Sequence, residues 1–132
     1  MVYLLDANVV IALTLEEHES HRRVSRWATS VDRIALCPIV EGAFLRFCVR
    51  LGESVRVAMQ ILTLLQSDPR CEFWADSLSY AGVDLGHVRG HRQVTDAYLA
   101  GLARSQSDGR LATLDRGLAQ AASDVAFLVP AR

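Results

Sequence analysis

The chain has 132 residues, 51% hydrophobic and 22% charged, with a formal net charge of −1. That length suits one domain, residues 1–132, able to bury a real core, and the composition excludes a disordered chain. The near-zero net charge excludes a molecule that is basic all over, as many nucleic-acid binders are.

The chain opens on Val2 to Leu5, an apolar, β-prone run suited to a strand buried on both faces of a parallel sheet. The run stops at Asp6, and Asn8, a good N-cap, introduces a short helix over Val9 to Leu13. A carboxylate therefore stands at the C-terminal end of a central strand, where open α/β sheets build their sites. Taken alone, Asp6 could equally cap a turn. Asp6 also interrupts the apolar run with no basic region before it, so no signal peptide is read here.

Glu16 to Glu19 reads as a loop. His21 to Ala28 is a helix with Val24, Trp27 and Ala28 on one face and Arg22, Arg23 and Arg26 on the other. Ile34 to Cys37 is a second strand. Pro38 fits a first helical position. Val40, Ala43, Phe44, Phe47, Cys48 and Leu51 then fall at helical spacing, with Glu41 in the first turn; alone, Glu41 is explained by the helix dipole. Gly52 ends this helix. Ser54 to Leu65 forms the second arm of a hairpin, more apolar than a solvated surface needs.

Glu72 to Ala75 reads as a short third strand. Ser77 to Arg92 carries His87 and His91 four residues apart, a zinc-type spacing on a helix. Gly82, Gly86 and Gly90 argue against a helix there, and no HExxH pattern is present. Thr95 reads as the N-cap of a helix to Ala103, with Asp96 in its first turn. Ser107 to Gly109 is a turn. Leu111 to Leu114 is a strand ending at Asp115, Gly117 a brief break, Leu118 to Ala122 a short helix and Val125 to Val129 a last strand. Strands alternate with helices, which gives an α/β fold with a mainly parallel sheet.

No apolar stretch approaches the roughly 20 residues that span a bilayer, so no membrane partner is expected. Cys37, Cys48 and Cys71 form no CxxC pair, and their odd number favours reduced, buried thiols in a cytoplasmic protein. All fourteen basic residues are Arg. The guanidinium fork suits phosphate, although genome base composition accounts for the bias more simply.

Four acids stand at matching places. Asp6 and Asp115 each end a strand, and Glu41 and Asp96 each open a helix after a strand or its loop. Right-handed crossovers bring these ends to one edge of a parallel sheet. Two unit charges about 4 Å apart repel by roughly 4 kcal/mol at an effective dielectric near 20. A divalent cation resolves that repulsion, and an all-oxygen set selects Mg²⁺ or Mn²⁺. A haloacid-dehalogenase-type phosphatase needs a second Asp two residues after the first, where this chain has Asn8.

These motifs resemble those of PIN-domain proteins, and within them VapC-type toxins: LLDANV around Asp6, PIVEGAFLRF with Glu41 and Arg46, HRQVTDAYLAGLA around Asp96, and GRLATLDRGLA around Asp115. The match runs nearly end to end. The resemblance implies a PIN-like three-layer sandwich with a central sheet of four or five strands and helices on both faces. It implies a Mg²⁺- or Mn²⁺-dependent endoribonuclease that inhibits translation and growth as the toxin of a type II toxin–antitoxin pair. Its substrate would be a structured RNA, transfer or ribosomal, and its partners a VapB-type antitoxin and a second copy of itself. Asp6, Glu41, Asp96 and Asp115 would be the catalytic, metal-holding acids, with Asn8, Thr113 and Arg46 in support. The alternative is a non-catalytic PIN-like module that only binds RNA or a partner.

Overall fold

The computed structural model describes residues 1–131. Five strands make one sheet: β1 (Val2–Leu5), β2 (Ile34–Leu36), β3 (Cys71–Phe73), β4 (Gly109–Thr113) and β5 (Ala126–Leu128). Their spatial order is β3-β2-β1-β4-β5, and every ladder is parallel. The sheet thus has five strands, the upper of the two numbers expected. Six helices, α1 (Ala7–Thr14), α2 (His21–Thr29), α3 (Pro38–Arg50), α4 (Val55–Gln66), α5 (Arg92–Ser105) and α6 (Arg116–Ala121), cover both faces, and a 3₁₀ turn lies at Tyr80–Gly82.

Parallel strands point all their C-termini at one edge. From β1 the chain winds outward through β2 and β3, then crosses back to β4 on the other side of β1. The winding direction therefore switches between β1 and β4, and the crevice beyond a switch point is where such sheets hold ligands. The central strands are apolar along their length because helices bury both faces. Leu4, Ala35, Leu36, Leu111 and Ala112 are buried, packed with Val9, Phe44, Leu99 and Leu102 from the helices.

The hairpin of α3 and α4 is only partly buried. Val40, Phe44 and Cys48 lie in the core, but Leu51, the last member of the expected apolar stripe, is 61% exposed. It stands past the end of α3, where Gly52 turns the chain at φ 96°. On α4, Ala58 and Leu62 face inward, while Val55, Met59 and Leu64 face water. Among the described residues no helix is long and apolar enough to cross a membrane.

Three helix starts differ from the sequence-based expectation. Helix α1 begins at Ala7, so Asp6 and not Asn8 is its N-cap. Helix α5 begins at Arg92, which puts Thr95 inside the helix and Asp96 in its second turn. Here Gln93 wins over Thr95: its side-chain oxygen reaches back to accept from the Gly90 N–H (3.2 Å), fixing the start early. Gly117 is no break, because Asp115 caps α6 and the helix runs through it.

Candidate active site

The site lies where β1 and β4 end. Asp6 follows β1 directly, and its backbone N–H donates to Ala112 O across the ladder (2.9 Å). One carboxylate oxygen, Oδ1, accepts from the Ala7 N–H (2.8 Å) and so starts α1. The other, Oδ2, accepts from the Thr113 hydroxyl (2.7 Å). Thr113 ends β4 and is wholly buried. Its oxygen also accepts from the Asp115 N–H (3.0 Å) and from the Asn8 side-chain amide (3.4 Å). A hydroxyl has one donor and two acceptor positions, and Thr113 uses all of them. The Asn8 carbonyl oxygen in turn accepts from the Leu114 N–H (3.1 Å). Displaced from the cap, Asn8 acts with Thr113 to lock the two strand ends together and orient both aspartates.

Asp115 caps α6, its Oδ1 accepting from the Leu118 N–H (3.2 Å). A Cβ at Gly117 would come within 3.2 Å of that same oxygen, so a side chain there would crowd the carboxylate. Asp96 reaches in from α5. Its carboxylate receives no hydrogen bond from the described residues, and its pKa is pushed from 3.8 to about 6, first by burial and then by the charges of Asp6 and Asp115. Burial also raises Asp6, with Asp115 adding to the rise and the bonds from Thr113 and Ala7 opposing it. Asp96 and Asp115 share a small cleft of about 70 Å³, lined also by His87, Gln93 and Gly117.

Asp96 and Asp115 thus share one cleft, and Asp6 stands near enough for its charge to couple with theirs. Glu41 stands apart from them. It is in the first turn of α3, but its Oε2 accepts from the Gln66 side-chain amide of α4 (2.8 Å). Its charge acts on Cys71, whose thiol is held at about 11 by burial first and then by Asp68, Glu41 and Glu72, and not on Asp6 or Asp96. Arg46 is exposed on α3 and lines the groove between α1 and α3 beside Ala7 and Ile11.

The donor chemistry fits a hard divalent cation. Three carboxylates offer only oxygen, and one of them is half-buried, unpartnered and reluctant to ionise beside the other two. Among the described residues no three acidic, imidazole or thiol groups yet stand close enough to enclose an ion. Asp6 and Asp115 each keep an oxygen on a helix-start N–H. His87 and Gln93 are cleft residues that the sequence alone does not single out for this site. His87 shows there only as half of a zinc-type spacing, and Gln93 reaches the cleft because α5 begins earlier than expected.

A model of the PIN domain matches residues 3–124, and the chain belongs to that family. Ribonuclease VapC29 of Mycobacterium tuberculosis is 52% identical over 131 residues, covering 98% of both chains. Ribonuclease VapC38 of the same species is 34% identical over 122 residues, covering 87% of this chain and 86% of its own. Within the family the chain is thus of the VapC type. Two solved structures share the fold. VapBC2 from Rickettsia felis bound to a DNA fragment from its promoter aligns over 98% of this chain and 100% of the solved one, at a TM-score of 0.69 and 17% identity. FitAB bound to the IR36 DNA fragment aligns over 97% and 94%, at 0.65 and 21%.

Proposed function

We propose that residues 1–132 form one PIN domain that acts in the cytoplasm as a Mg²⁺- or Mn²⁺-dependent endoribonuclease, the toxin of a toxin–antitoxin pair. The observation that supports it is the gathering of Asp6, Asp96 and Asp115 at the switch point of a parallel sheet, braced by Thr113. Similarity to proteins named as VapC ribonucleases points the same way. The substrate is a structured RNA with an exposed loop, and its cleavage blocks translation and growth. A VapB-type antitoxin and a second copy of the chain are the protein partners.

In this reading Asp6, Asp96 and Asp115 hold the metal. Glu41 is the fourth acid and joins them by leaving Gln66. The chemistry that a bound Mg²⁺ or Mn²⁺ supplies is charge neutralisation at the phosphate and acidification of water. Thr113 and Asn8 keep the Asp6 and Asp115 carboxylates aimed before substrate arrives, which lowers the ordering cost at the moment of reaction. Asp96 titrates at about 6, so below that pH cation uptake would release its proton. One carboxylate accepts the proton of the attacking water. Arg46 meets phosphate charge from the α3 side.

The test is cleavage of RNA by purified protein in Mg²⁺, Mn²⁺ or chelator. Wild type cleaves only with metal. Asp6→Asn, Glu41→Gln, Asp96→Asn and Asp115→Asn each lose nearly all cleavage and growth toxicity. Two of these variants within a few-fold of wild type would overturn the site. RNA binding with no cleavage in any metal would favour the non-catalytic module.

A further inference from the structure

The three carboxylates of the site pose a difficulty for the proposed substrate, because they repel a polyanion. The segment leading into α5 answers it. Residues 87–92 read HVRGHR: two Arg and two His within six residues, with no acid between Asp84 and Asp96. Arg89, His91 and Arg92 are exposed, and His87 lines the cleft with Asp96 and Asp115. Arg116, also exposed, directly follows Asp115 and opens α6, whose Gly117, Leu118 and Ala121 line the same cleft.

The Arg89 guanidinium makes only long hydrogen bonds to nearby backbone, its Nη1 donating to Gly86 O (3.4 Å) and Val88 O (3.5 Å). The ion pairs among the described residues use Arg33, Arg70, Arg104 and the N-terminal amine, leaving Arg89, Arg92 and Arg116 without a carboxylate partner. The segment is also tied down. Tyr98, buried in α5, donates to Leu78 O (3.0 Å). Val83 seats against Gly101, where a Cβ would approach its methyls to 3.3 Å. The Asp84 carboxylate accepts from the Gly86 N–H (2.9 Å), and Gln93 accepts from the N–H groups of Arg89 and Gly90. Unpaired charge on a pre-ordered arm costs little ordering entropy when a ligand arrives.

We propose that Arg89 and Arg92, with Arg116 at the start of α6, form a phosphate-binding arm that holds the RNA backbone beside the acidic site. This deepens the ribonuclease reading and rests on it. Arginine carries a fixed charge and a bidentate fork, so the arm works without titration. Each phosphate neutralised on a single strand contributes about 0.7 to the slope of log affinity against log salt. A chain with a net charge of −1 then binds RNA by a local concentration of cations.

The experiment measures fluorescence anisotropy of a short labelled oligoribonucleotide of mixed sequence, over a salt series in Mg²⁺, with Asp115→Asn as the parent to prevent cleavage. Adding Arg89→Gln and Arg92→Gln is expected to weaken binding at least tenfold and to lower the salt slope by about 1.4, two contacts at 0.7 each. Adding Arg89→Lys and Arg92→Lys restores most of the slope. Arg22→Gln with Arg26→Gln, on the exposed face of α2, changes neither. Thermal melts confirm that each variant is folded. An affinity and slope equal to the parent's in the Gln pair would overturn the arm while leaving the ribonuclease reading intact. Failure of wild type to cleave any RNA would instead remove the reading on which the arm rests.

Discussion

Replacing Asp96 by Asn removes one charge from the site at nearly constant shape. Its carboxyl stands at about 6 instead of 3.8, raised by burial and by Asp6 and Asp115. At about 1.4 kcal/mol per pH unit the whole difference is worth roughly 3 kcal/mol. Asp96 stays partly open to water, which screens it, so about 1–2 kcal/mol is the working figure. An acid whose folded pKa is raised favours folding below its unfolded pKa and loses that contribution as pH rises through the folded value. The wild-type, metal-free protein therefore gives up this stability between about pH 4 and pH 6. The Asn variant never had a charge to lose. At pH 7.5 in chelator it should melt higher than wild type by roughly 3–8 °C for a domain of this size, and the gap should close near pH 4. Saturating Mn²⁺ should reverse the order. A ligand at a hundredfold excess over its dissociation constant stabilises the folded state by about 2.7 kcal/mol, and the variant has lost one of its donors. An Asp96 that served only as a helix-start residue would predict a loss on mutation, but it lies in the second turn of α5, where the dipole contribution is small. A variant that melts lower than wild type in chelator, or a gap that does not change between pH 4 and 7.5, refutes the electrostatic argument.

Thr113→Val keeps the shape of a wholly buried side chain but leaves Asp6 Oδ2 and the Asp115 N–H without their partner; it should cost about 1–3 kcal/mol in a denaturant melt and most of the cleavage, whereas Thr113→Ser should retain the bonds and much of the activity. Gln66→Ala releases Glu41 from its hydrogen bond, so cleavage should hold or rise if Glu41 acts as the fourth acid, and a loss equal to that of Glu41→Gln would show that the Gln66 pair itself is what matters. The exposed Val55 and Met59 on the α3–α4 hairpin suit a two-fold contact with a second copy. Sedimentation should give a dimer mass that Met59→Glu converts to monomer, and a monomer mass for wild type at tens of micromolar would contradict the dimer.

Much of this protein is legible in its sequence because its elements are set by short-range rules. Parallel strands buried on both faces must be apolar runs, and Val2–Leu5 and Ile34–Leu36 are recognisable as such without a structure. Asp6 and Asp115 at strand ends are visible for the same reason: a charge that interrupts an apolar run marks the sheet's edge. What the tertiary structure decided is where side chains on helices point and what they find there. Glu41 sits in the first turn of α3 as expected, yet its carboxylate pairs with Gln66, twenty-five positions away on α4, a choice that depends on how two helices pack. Asn8 has the local signature of an N-cap, but Asp6 lies nearer the strand and takes the role, freeing Asn8 to bridge to β4. Thr113 by local pattern is one more β-branched strand residue, picked out only by the family resemblance, and its bonds to Asp6 and Asn8 exist only because β1 and β4, more than a hundred residues apart in the chain, are neighbours in the sheet. Local propensity determines which elements form; the meeting of distant hydrogen-bonding groups, which only the packed sheet allows, determines which of their residues make the site.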